Sequence, residues 1–532
     1  MHKNTYDYII VGAGSAGCVL ANRLSENPDC KVLLLEAGSK DWHPFIHMPA
    51  GLAKLVNIKS LNWSYNTEPE PHLNNRKMYW PRGKVLGGSS SINAMCYCRG
   101  HKLDYDLWSS LGNQGWSYDE VLPYFIKSEN NQRITNEYHG NNGPLYVSDL
   151  KHHNKLSDSF LKACQKQGFN LNGDFNGAKQ EGFGMYQVTQ NNGSRNSSAQ
   201  AYLSPVKNRD NLTVWTKSYA QKVMIENSIA KGVEVVKSGK LQKVYASKEV
   251  LLSGGALNSP HLLMLSGIGD ANDLQKHDVK VLHELNGVGK NLQDHLDVCL
   301  VQSCSKNITY DKINELKAGL QYYLFKSGPG TSNVAEAGGF LDTNHLKNND
   351  DVQKWPDLQF HFVPAILDDH GRNRIKGNGY TLHMCFLRPE SRGHLQLASK
   401  DPKQQVKIFA NYLSESKDLE QMKKGFEVQR EIFSNQAFDE YRDSEIFPGE
   451  DVQSEKDIEK FIRNKAESIY HPVGTCKMGD DEGSVVDSQL KVHGIENLRV
   501  IDASIMPTLV SGNTNAPTMM IAEKISDEIL KG

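Results

Sequence analysis

The chain has 532 residues, 38% of them hydrophobic and 23% charged, with a formal net charge of −2 at pH 7. This length predicts two or more domains, and the composition is that of an ordinary globular protein. A nearly neutral chain has no bulk positive field to attract nucleic acid, so we predict that neither DNA nor RNA is a partner.

Targeting and membrane signals are weak. The chain begins with a strand-like segment in place of a signal peptide, and no apolar run reaches the roughly 18 residues needed to span a bilayer. The nine cysteines include no CxxC pair, which indicates a reducing compartment and no disulfide framework. We predict a cytoplasmic protein, with peripheral contact on the inner face of the cell membrane left open.

The first predicted elements form a strand–turn–helix–strand unit. Residues 8–11 are a β-rich apolar run, residues 16–24 have helical periodicity, and residues 32–35 form a second buried strand. A GxGxxG motif separates the first strand from the helix. In this context the motif predicts the ADP-binding half of a dinucleotide site.

Each residue of this unit has a physical role. Gly12 makes the tight turn, Gly14 lets the backbone approach a pyrophosphate, and Gly17 lets the helix pack on the sheet. Ser15 stands at the helix N-terminus, whose free N–H groups point at the phosphates. Glu36, 19 residues after Gly17, is placed to accept hydrogen bonds from a ribose and to repel a 2′-phosphate, which argues against NADP. The unit alone does not distinguish NAD from FAD.

The next informative segment is WPRGKVLGGSSSINAMCYCRG, residues 80–100. Its Gly/Ser tract offers bare backbone and hydroxyl groups that can lie against a flat ring or a diphosphate. An apolar pattern resumes directly after the tract, so we predict that it lies between ordered elements and is not a solvated loop. This segment resembles the first signature of the glucose–methanol–choline family of flavin oxidoreductases.

Further segments resemble the same family in the correct order. GALNSPHLLMLSGIG (residues 255–269) is similar to its second signature, and LRVIDASIMP (498–507) and SGNTNAPTMMIAEKI (511–525) are similar to its C-terminal flavin-contacting segment. The resemblance covers essentially the whole chain. The connecting segments look most like those of the bacterial acceptor-linked dehydrogenases of aliphatic alcohols and of choline.

The resemblance implies FAD as the cofactor. Some members of the family bind FAD covalently through a histidine at the position that is Ile92 here, so we predict non-covalent FAD. The implied FAD-binding residues are Gly12, Gly14, Ser15, Gly17, Glu36, Arg82, Gly87, Gly88, Asn93, Val223, Asp502, Ala503, Pro517 and Thr518.

Alcohol oxidation by a flavin needs a base for the hydroxyl proton and a second polar group for the oxygen. By resemblance, His471 in YHPVGTCKMG matches the family's catalytic histidine, and Asn515, 44 residues later, matches the second polar group. Asn515 can donate a hydrogen bond but cannot be a base, which leaves the proton to His471. Asn515 also precedes Pro517 at a predicted helix start, so simple capping is its alternative role.

A metal site and a cysteine nucleophile are the two alternatives to a histidine base in the segment around His471. His471 and Cys476 have no second pair of residues at zinc spacing, and His152 and His153 stand in a polar, loop-like stretch, so we predict no metal site. Lys477 would point away from Cys476 on an extended backbone and would not stabilise a thiolate. Cys476 is therefore predicted to pack.

Three residues are candidates for substrate contact. Gln359 and His361 share one face of a predicted strand, and one face of that strand is expected to line the active site. For His361, a role in the pocket wall or in the structure is the alternative to catalysis. Glu336 offers a carboxylate that could hold a quaternary ammonium group, with structural pairing as the alternative.

We predict an α/β fold with three parts. Residues 1–299 form mainly a Rossmann-like FAD-binding domain, residues 300–461 an α+β substrate domain on an antiparallel sheet, and residues 462–532 a segment that returns to the FAD domain. The predicted function is oxidation of primary, aliphatic alcohols to aldehydes by hydride transfer to flavin, with a quinone or other electron acceptor. The alternatives are a choline dehydrogenase, an alcohol oxidase that uses O₂, and a hydroxynitrile lyase.

Overall fold

The structure, a computed structural model, describes residues 4–345, 354–373 and 375–532. These residues form strands and α-helices joined by turns and short 3₁₀ segments. In chain order the strands are β1 (Thr5–Val11), β2 (Val32–Leu35), β3 (Tyr65–Asn66), β4 (Tyr79–Trp80), β5 (Glu129–Asn131), β6 (Leu145–Val147), β7 (Gly182–Met185), β8 (Gln190–Asn191), β9 (Ser194–Arg195), β10 (Leu212–Trp215), β11 (Ser218–Glu226), β12 (Ile229–Lys237), β13 (Lys240–Leu252), β14 (Ile268–Gly269), β15 (His283–Glu284), β16 (Leu296–Cys304), β17 (Ala337–Leu341), β18 (Leu358–Val363), β19 (Gly379–Phe386), β20 (His394–Gln396), β21 (Lys407–Phe409), β22 (Arg442–Phe447), β23 (Glu467–Ser468) and β24 (Leu498–Val500). The helices are α1 (Ser15–Leu24), α2 (Pro44–His47), α3 (Leu52–Leu55), α4 (Lys102–Ser110), α5 (Tyr118–Ser128), α6 (Lys155–Lys166), α7 (Gly255–Leu265), α8 (Ala271–Lys276), α9 (Glu315–Phe325), α10 (Ser416–Ser434), α11 (Glu455–Lys465) and α12 (Asn515–Lys531).

The first of two large sheets has a parallel core. β10, β2, β1 and β13 are neighbours and run parallel, β24 also pairs parallel with β13, and β12 and β11 extend the sheet as an antiparallel edge. All four residues of β2 are buried, as expected for a parallel strand that is covered on both faces. The strands predicted at residues 8–11 and 32–35 lie within β1 and β2.

The second sheet is antiparallel, in the order β22–β16–β19–β18–β17–β7, with β23 also paired to β16. Helix α10 packs against β16 and β19. The register places His361 opposite His383, and Gln359 opposite Cys385. Directly opposed residues share a face of the sheet, so these four side chains lie on one face.

These two sheets confirm the predicted fold class, a Rossmann-like α/β unit with a second, antiparallel sheet. Within residues 1–299, which were predicted to form mainly the FAD-binding domain, β7 pairs with β17 in the second sheet. Near the other end of the chain, β24 joins the first sheet. None of the described helices is long and apolar enough to cross a membrane.

An ion pair fixes α12 against α1. Arg23 donates from Nε and Nη2 to the two carboxylate oxygens of Glu523, at 2.8 Å each, and the Tyr202 hydroxyl donates to the same carboxylate at 2.9 Å. Glu523 is completely buried. A bidentate pair in this environment holds its geometry tightly, but removal of one partner leaves a buried charge uncompensated.

We expect Glu523→Ala to lower the free energy of unfolding by about 3–5 kcal/mol, because Arg23 then loses its buried partner. Glu26→Ala is the matched control, since Glu26 is an exposed partner of the same guanidinium, at 2.8 Å. It should cost about 0–1 kcal/mol, as surface pairs do. Denaturant unfolding followed by fluorescence measures both, and equal losses would contradict this account of Glu523.

Candidate active site

A continuous cavity of about 360 Å³ extends from the glycine loop after β1 to the wall formed by the second sheet. Most of the residues predicted from sequence to bind cofactor or substrate lie on its wall. Those that line it are Gly12, Gly14, Ser15, Glu36, Arg82, Gly88, Asn93, His361, His471, Asp502, Ala503, Asn515 and Thr518.

The two glycine loops touch each other at this wall. A Cβ atom on Gly88 would lie 2.7 Å from the Cα atom of Gly14, and a Cβ atom on Gly17 would lie 1.8 Å from the carbonyl oxygen of Gly12. Larger residues are therefore excluded at Gly88 and Gly17. Helix α1 begins at Ser15 without a side-chain cap, so its first N–H groups are available to a phosphate in the cavity.

Glu36 is held at the end of β2 by the backbone. Its Oε2 accepts a hydrogen bond from Ala13 N at 3.0 Å, and its Oε1 accepts one from Gly38 N at 2.7 Å. Burial raises the pKa of Glu36 to about 7, although both N–H groups oppose the shift. Each carboxylate oxygen can accept more than one hydrogen bond, so Glu36 keeps acceptor capacity for a ribose hydroxyl.

The second glycine-rich segment is also ordered by hydrogen bonds. Asn93 Oδ1 accepts from Met95 N at 3.1 Å and from Arg195 Nη1 at 2.8 Å. Arg82 Nη1 donates to the carbonyl oxygen of Tyr470 at 2.8 Å, which brings a cation to the wall beside His471. Ile92 lines the cavity nearby, and its hydrocarbon side chain has no atom that could form a covalent bond to a cofactor.

Two C-terminal segments complete the cofactor end of the cavity. Asp502 accepts hydrogen bonds from Gly255 N at 2.8 Å, Ser259 Oγ at 2.5 Å and Ser504 N at 2.8 Å. Ala503 and Thr518 lie on the wall beside it. Helix α12 begins with no side-chain cap at Thr514, so a second uncapped helix N-terminus faces the cavity.

The residues present fit FAD. Two uncapped helix N-termini suit a diphosphate, and Glu36 suits a ribose. His261 Nε2 and His361 Nδ1 are buried on cavity-lining residues and have no hydrogen-bond partner among the described residues. A buried polar atom left unpaired costs about 1–3 kcal/mol, so these atoms indicate a polar ligand.

Four residues predicted to bind the cofactor do not line the cavity. Val223 is buried in the first sheet, where its N–H group donates to Ser266 Oγ at 2.9 Å; Ala220 of the same strand lines the cavity instead. The pairing of β11 with β12 shifts register between residues 220 and 222. The usual alternation of side chains along a strand therefore does not predict which residue of β11 reaches the cavity. Pro517 is buried in the first turn of α12, and Gly17 and Gly87 shape the loops behind the wall.

His471 is buried, and its ring is oriented through Nδ1. Nε2 of His295 lies 3.1 Å from the carbonyl oxygen of Leu387, and a carbonyl only accepts, so this nitrogen of His295 carries the proton. Burial lowers the pKa of His295 to about 3, so its ring is neutral and its Nδ1 is an acceptor. Nδ1 of His471, 3.0 Å away, must donate to it. Nε2 of His471 is therefore unprotonated.

The environment keeps His471 neutral. Burial, followed by His295, His361 and Arg82, holds the pKa of His471 well below its ordinary value. Its backbone N–H group donates to Asp294 Oδ1 at 2.7 Å, and this bond anchors the loop that carries the ring. Sequence reasoning missed His295 and Asp294, which lie in the connector before β16, far from His471 in the chain.

The asparagine beside His471 is Asn513 and not Asn515. Nδ2 of Asn513 lies 3.2 Å from Nε2 of His471, while its Oδ1 accepts from Gln359 Nε2 at 3.1 Å. Gln359 thereby turns the amide NH₂ group toward the histidine. Asn515 Oδ1 instead accepts from Ser15 Oγ at 2.7 Å, at the glycine loop. Asn515, which was predicted to orient the substrate oxygen, lines the same cavity as His471, but the hydrogen-bond partner of His471 is Asn513.

The second sheet supplies the opposite wall. His361 lines the cavity, as does His383 on the next strand, which sequence reasoning missed, whereas Gln359 is buried behind the wall. Burial lowers the pKa of His361 to about 3, so this ring is neutral. His383 Nδ1 lies 2.6 Å from Asp297 Oδ2, so the carboxylate of Asp297 stands behind the histidine.

Glu336 does not line the cavity. Its Oε2 accepts from Asn154 N and Ser157 Oγ, each at 2.7 Å, and its Oε1 accepts from Ser332 Oγ at 2.6 Å and from the Tyr310 hydroxyl. The side chain is completely buried. These contacts correspond to the structural pairing that was the alternative for Glu336.

The thiol of Cys476 is not a nucleophile for the site. Cys476 is buried, and burial raises the pKa of its thiol well above the ordinary value, which disfavours a thiolate. Asp297, Cys299 and His383 place three potential ligand atoms within 4.8 Å of one another. Nδ1 of His383 lies within hydrogen-bond distance of both Cys299 Sγ and Asp297 Oδ2. Hydrogen bonds among the three side chains therefore also explain why they lie close together.

Comparison with known proteins assigns the chain to a family. The sequence profile described as GMC oxidoreductase matches residues 6–297, and a second profile with that description matches residues 389–522. The chain is 50% identical to an alcohol dehydrogenase [acceptor] of Pseudomonas putida (99% of this chain, 96% of the relative). It is 47% identical to the mitochondrial choline dehydrogenase of Mus musculus (100% and 90%).

A solved structure shows the same fold. The pyridoxine 4-oxidase from Mesorbium loti superimposes with a TM-score of 0.91 at 30% identity, over 99% of each chain. GMC oxidoreductases are FAD-dependent flavoproteins, in agreement with a cavity whose loops, helix ends and acidic residue suit FAD. The chain thus belongs to the GMC oxidoreductase family and is an FAD-dependent oxidoreductase similar to alcohol dehydrogenase (acceptor) and choline dehydrogenase.

Proposed function

We propose that the enzyme oxidises primary aliphatic alcohols to aldehydes, with His471 as the base. The observation that carries this proposal is the hydrogen-bond chain from Leu387 through His295 to His471, which leaves Nε2 of His471 as an acceptor beside the amide donor of Asn513. A hydroxyl group both donates and accepts, so an alcohol matches this pair of groups. Asn513 takes the role first assigned to Asn515.

The residues divide the reaction between them. Bound FAD supplies the acceptor for the two electrons that leave the carbinol carbon as a hydride. His471 takes the hydroxyl proton at Nε2, so the alcohol loses one hydride and one proton and becomes the aldehyde. Asn513 donates to the substrate oxygen throughout. Because burial makes His471 a weak base, we expect the proton to leave as the C–H bond breaks and not beforehand.

The wall on the side of the second sheet favours a hydrocarbon chain. Each CH₂ group of an alcohol buried against this wall contributes about 0.8 kcal/mol to the free energy of binding. The charged head of a quaternary ammonium compound would not gain this contribution. The carboxylates among the lining residues, Glu36 and Asp502, are bound by backbone N–H groups at the cofactor end. Apolar residues that line the cavity include Val334, Ala335, Val363, Leu367 and Ile469.

The name of one relative supports an electron carrier other than oxygen. The Pseudomonas putida relative is named for an acceptor, although another relative, from Chromohalobacter salexigens and 45% identical, is named an oxygen-dependent choline dehydrogenase. We therefore propose a quinone-like acceptor, with oxygen as the outcome to be tested.

Anaerobic mixing of the holoenzyme with 1-hexanol should bleach the flavin absorbance at least tenfold faster than choline at equal concentration. The reason is that the lining carboxylates, Glu36 and Asp502, lie at the cofactor end of the cavity, where they accept hydrogen bonds from backbone N–H groups, and not among the apolar residues on the side of the second sheet. A short-chain quinone should then restore the absorbance much faster than O₂. Bleaching by choline alone would replace the proposal with a choline dehydrogenase. No bleaching by any alcohol would remove the redox proposal and favour a lyase.

Two substitutions of His295 test its control over His471. His295→Gln keeps a donor for Leu387 but removes the acceptor for His471 Nδ1; we expect the flavin reduction rate to fall about 10²–10³-fold, within the range of general base catalysis. His295→Asn places an amide oxygen near the position of Nδ1 and should stay within about tenfold of the native rate.

The pH profile distinguishes positioning from simple destabilisation. The native reduction rate should stay flat as the pH falls from 9 to 6.5, because the pKa of His471 lies well below its ordinary value. His295→Gln should lose the same factor at every pH in this range, because the ring of His295 is neutral there and its removal takes away no charge. A loss that grew only toward one end of the range, or equal losses in the Gln and Asn variants, would show that His295 does not act by orienting the base.

A matched pair of asparagine variants tests which side chain meets the substrate oxygen. Asn513→Ala should slow flavin reduction by hexanol about 10²–10³-fold, as loss of one preorganised donor does. Asn515→Ala should change the rate less than tenfold and instead weaken FAD retention, because Asn515 contacts Ser15 at the glycine loop. The reverse order of the two effects in stopped-flow measurements would restore Asn515 as the second catalytic group.

A further inference from the structure

Helix α9 exposes an unusual number of large apolar side chains. Leu316 is 84% exposed, Leu324 63% and Phe325 71%, and Leu320 and Tyr323 are also exposed. Tyr322 is the one buried residue of the helix. Monomeric proteins rarely leave contiguous apolar surface of this kind uncovered, and such patches mark protein or membrane contacts.

The exposed side chains form one stripe. At 100° per residue, Tyr323, Leu316, Leu320 and Leu324 fall within about 100° of the helix circumference, and the side of Tyr322 faces the protein. Phe325 adds an exposed ring at the last residue of the helix. The apolar face of α9 therefore points outward, opposite to the usual arrangement of a surface helix.

Basic residues flank this apolar face. Lys312 and Lys317 are exposed, and Lys326 follows the helix, with Nζ 4.0 Å from the centroid of the Tyr322 ring. The acidic residue of the first turn, Glu315, is paired with Lys54. A leucine-rich face bordered by lysines is the pattern of a helix that lies in the head-group region of a bilayer.

The helix also lies beside the entrance to the cavity. Its Glu315 contacts Lys54 of α3, and Ala53 of α3 is exposed while lining the cavity, so the cavity reaches the surface there. The chain that follows α9 returns to the cavity wall at Asn333 and Val334. A surface that covered α9 would therefore also border the entrance.

We propose that the stripe of Leu316, Leu320, Tyr323 and Leu324 inserts into the head-group region of an anionic lipid bilayer. A lipid surface fits better than a second copy of the chain for two reasons. One 11-residue helix is small beside the roughly 800 Å² per partner of a stable interface, and a symmetric pairing would bring the lysines of two copies together. The proposal concerns the surface alone and does not depend on which alcohol is oxidised.

Co-sedimentation of the FAD-loaded protein with phosphatidylglycerol-containing vesicles tests the proposal. We expect binding to these vesicles and a tenfold or greater loss of partitioning in the triple variant Leu316→Ser/Leu320→Ser/Leu324→Ser. The matched control is Leu171→Ser/Leu241→Ser, which changes exposed leucines elsewhere on the surface and should bind like the native protein. Flavin absorbance and the thermal midpoint show that each variant is folded.

Charge provides a second, independent measurement. Lys312→Glu/Lys317→Glu should weaken binding to anionic vesicles, by about fivefold per lysine removed, and should reduce its salt dependence. Native protein that does not bind vesicles, or that binds as well after the leucine substitutions, would overturn the proposal. So would a dimer, detected by light scattering, that the triple variant disperses, because it would assign the stripe to a second copy of the chain.

Discussion

The buried ion pair between Arg23 and Glu523 joins the two ends of the chain, and the position of the active site depends on it. It holds α12 along α1, and both helices begin at the wall of the same cavity. Their N-termini carry partial positive charge, so the pair of helices creates a region suited to an anionic cofactor. The bond between Ser15 and Asn515 joins the helix starts directly.

A second constraint is that the catalytic end of the cavity works with neutral groups. His295 and His361 have pKa values of about 3, and that of His471 lies well below its ordinary value, mainly because all three are buried. A neutral histidine ring carries its proton on only one of its two nitrogens, so its hydrogen-bond partners determine the tautomer. The carbonyl oxygen of Leu387 places the proton of His295 on Nε2, and His295 Nδ1 in turn places the proton of His471 on Nδ1.

Much of the fold and of the cofactor loop follows from local sequence. The strands around GxGxxG, the acid at residue 36 and the fold class are found in the structure because close packing and helix-end charge require particular residues at fixed spacing. The motif GNTNAPT contains two asparagines that spacing alone cannot distinguish. One lies before α12 and reaches His471, while the other is the first helical residue and turns toward Ser15. His295 comes from a remote segment, and Ala220 follows an irregular register, so neither could be predicted from pattern.

The packing of α12 against α1 also determines when the site can exist. The glycine loop after β1 leaves the ribosome long before the histidine at 471, the strand β24 and the helix α12. Segments nearer the N-terminus fold first during synthesis, so the first sheet has its α1 well before β24 and α12 can join it. A nascent chain that lacks α12 therefore exposes the apolar surface of α1 that α12 later covers. The cavity wall at Asn515 and Thr518 is absent until then, so we expect FAD to bind only after this helix of 17 residues has packed against α1.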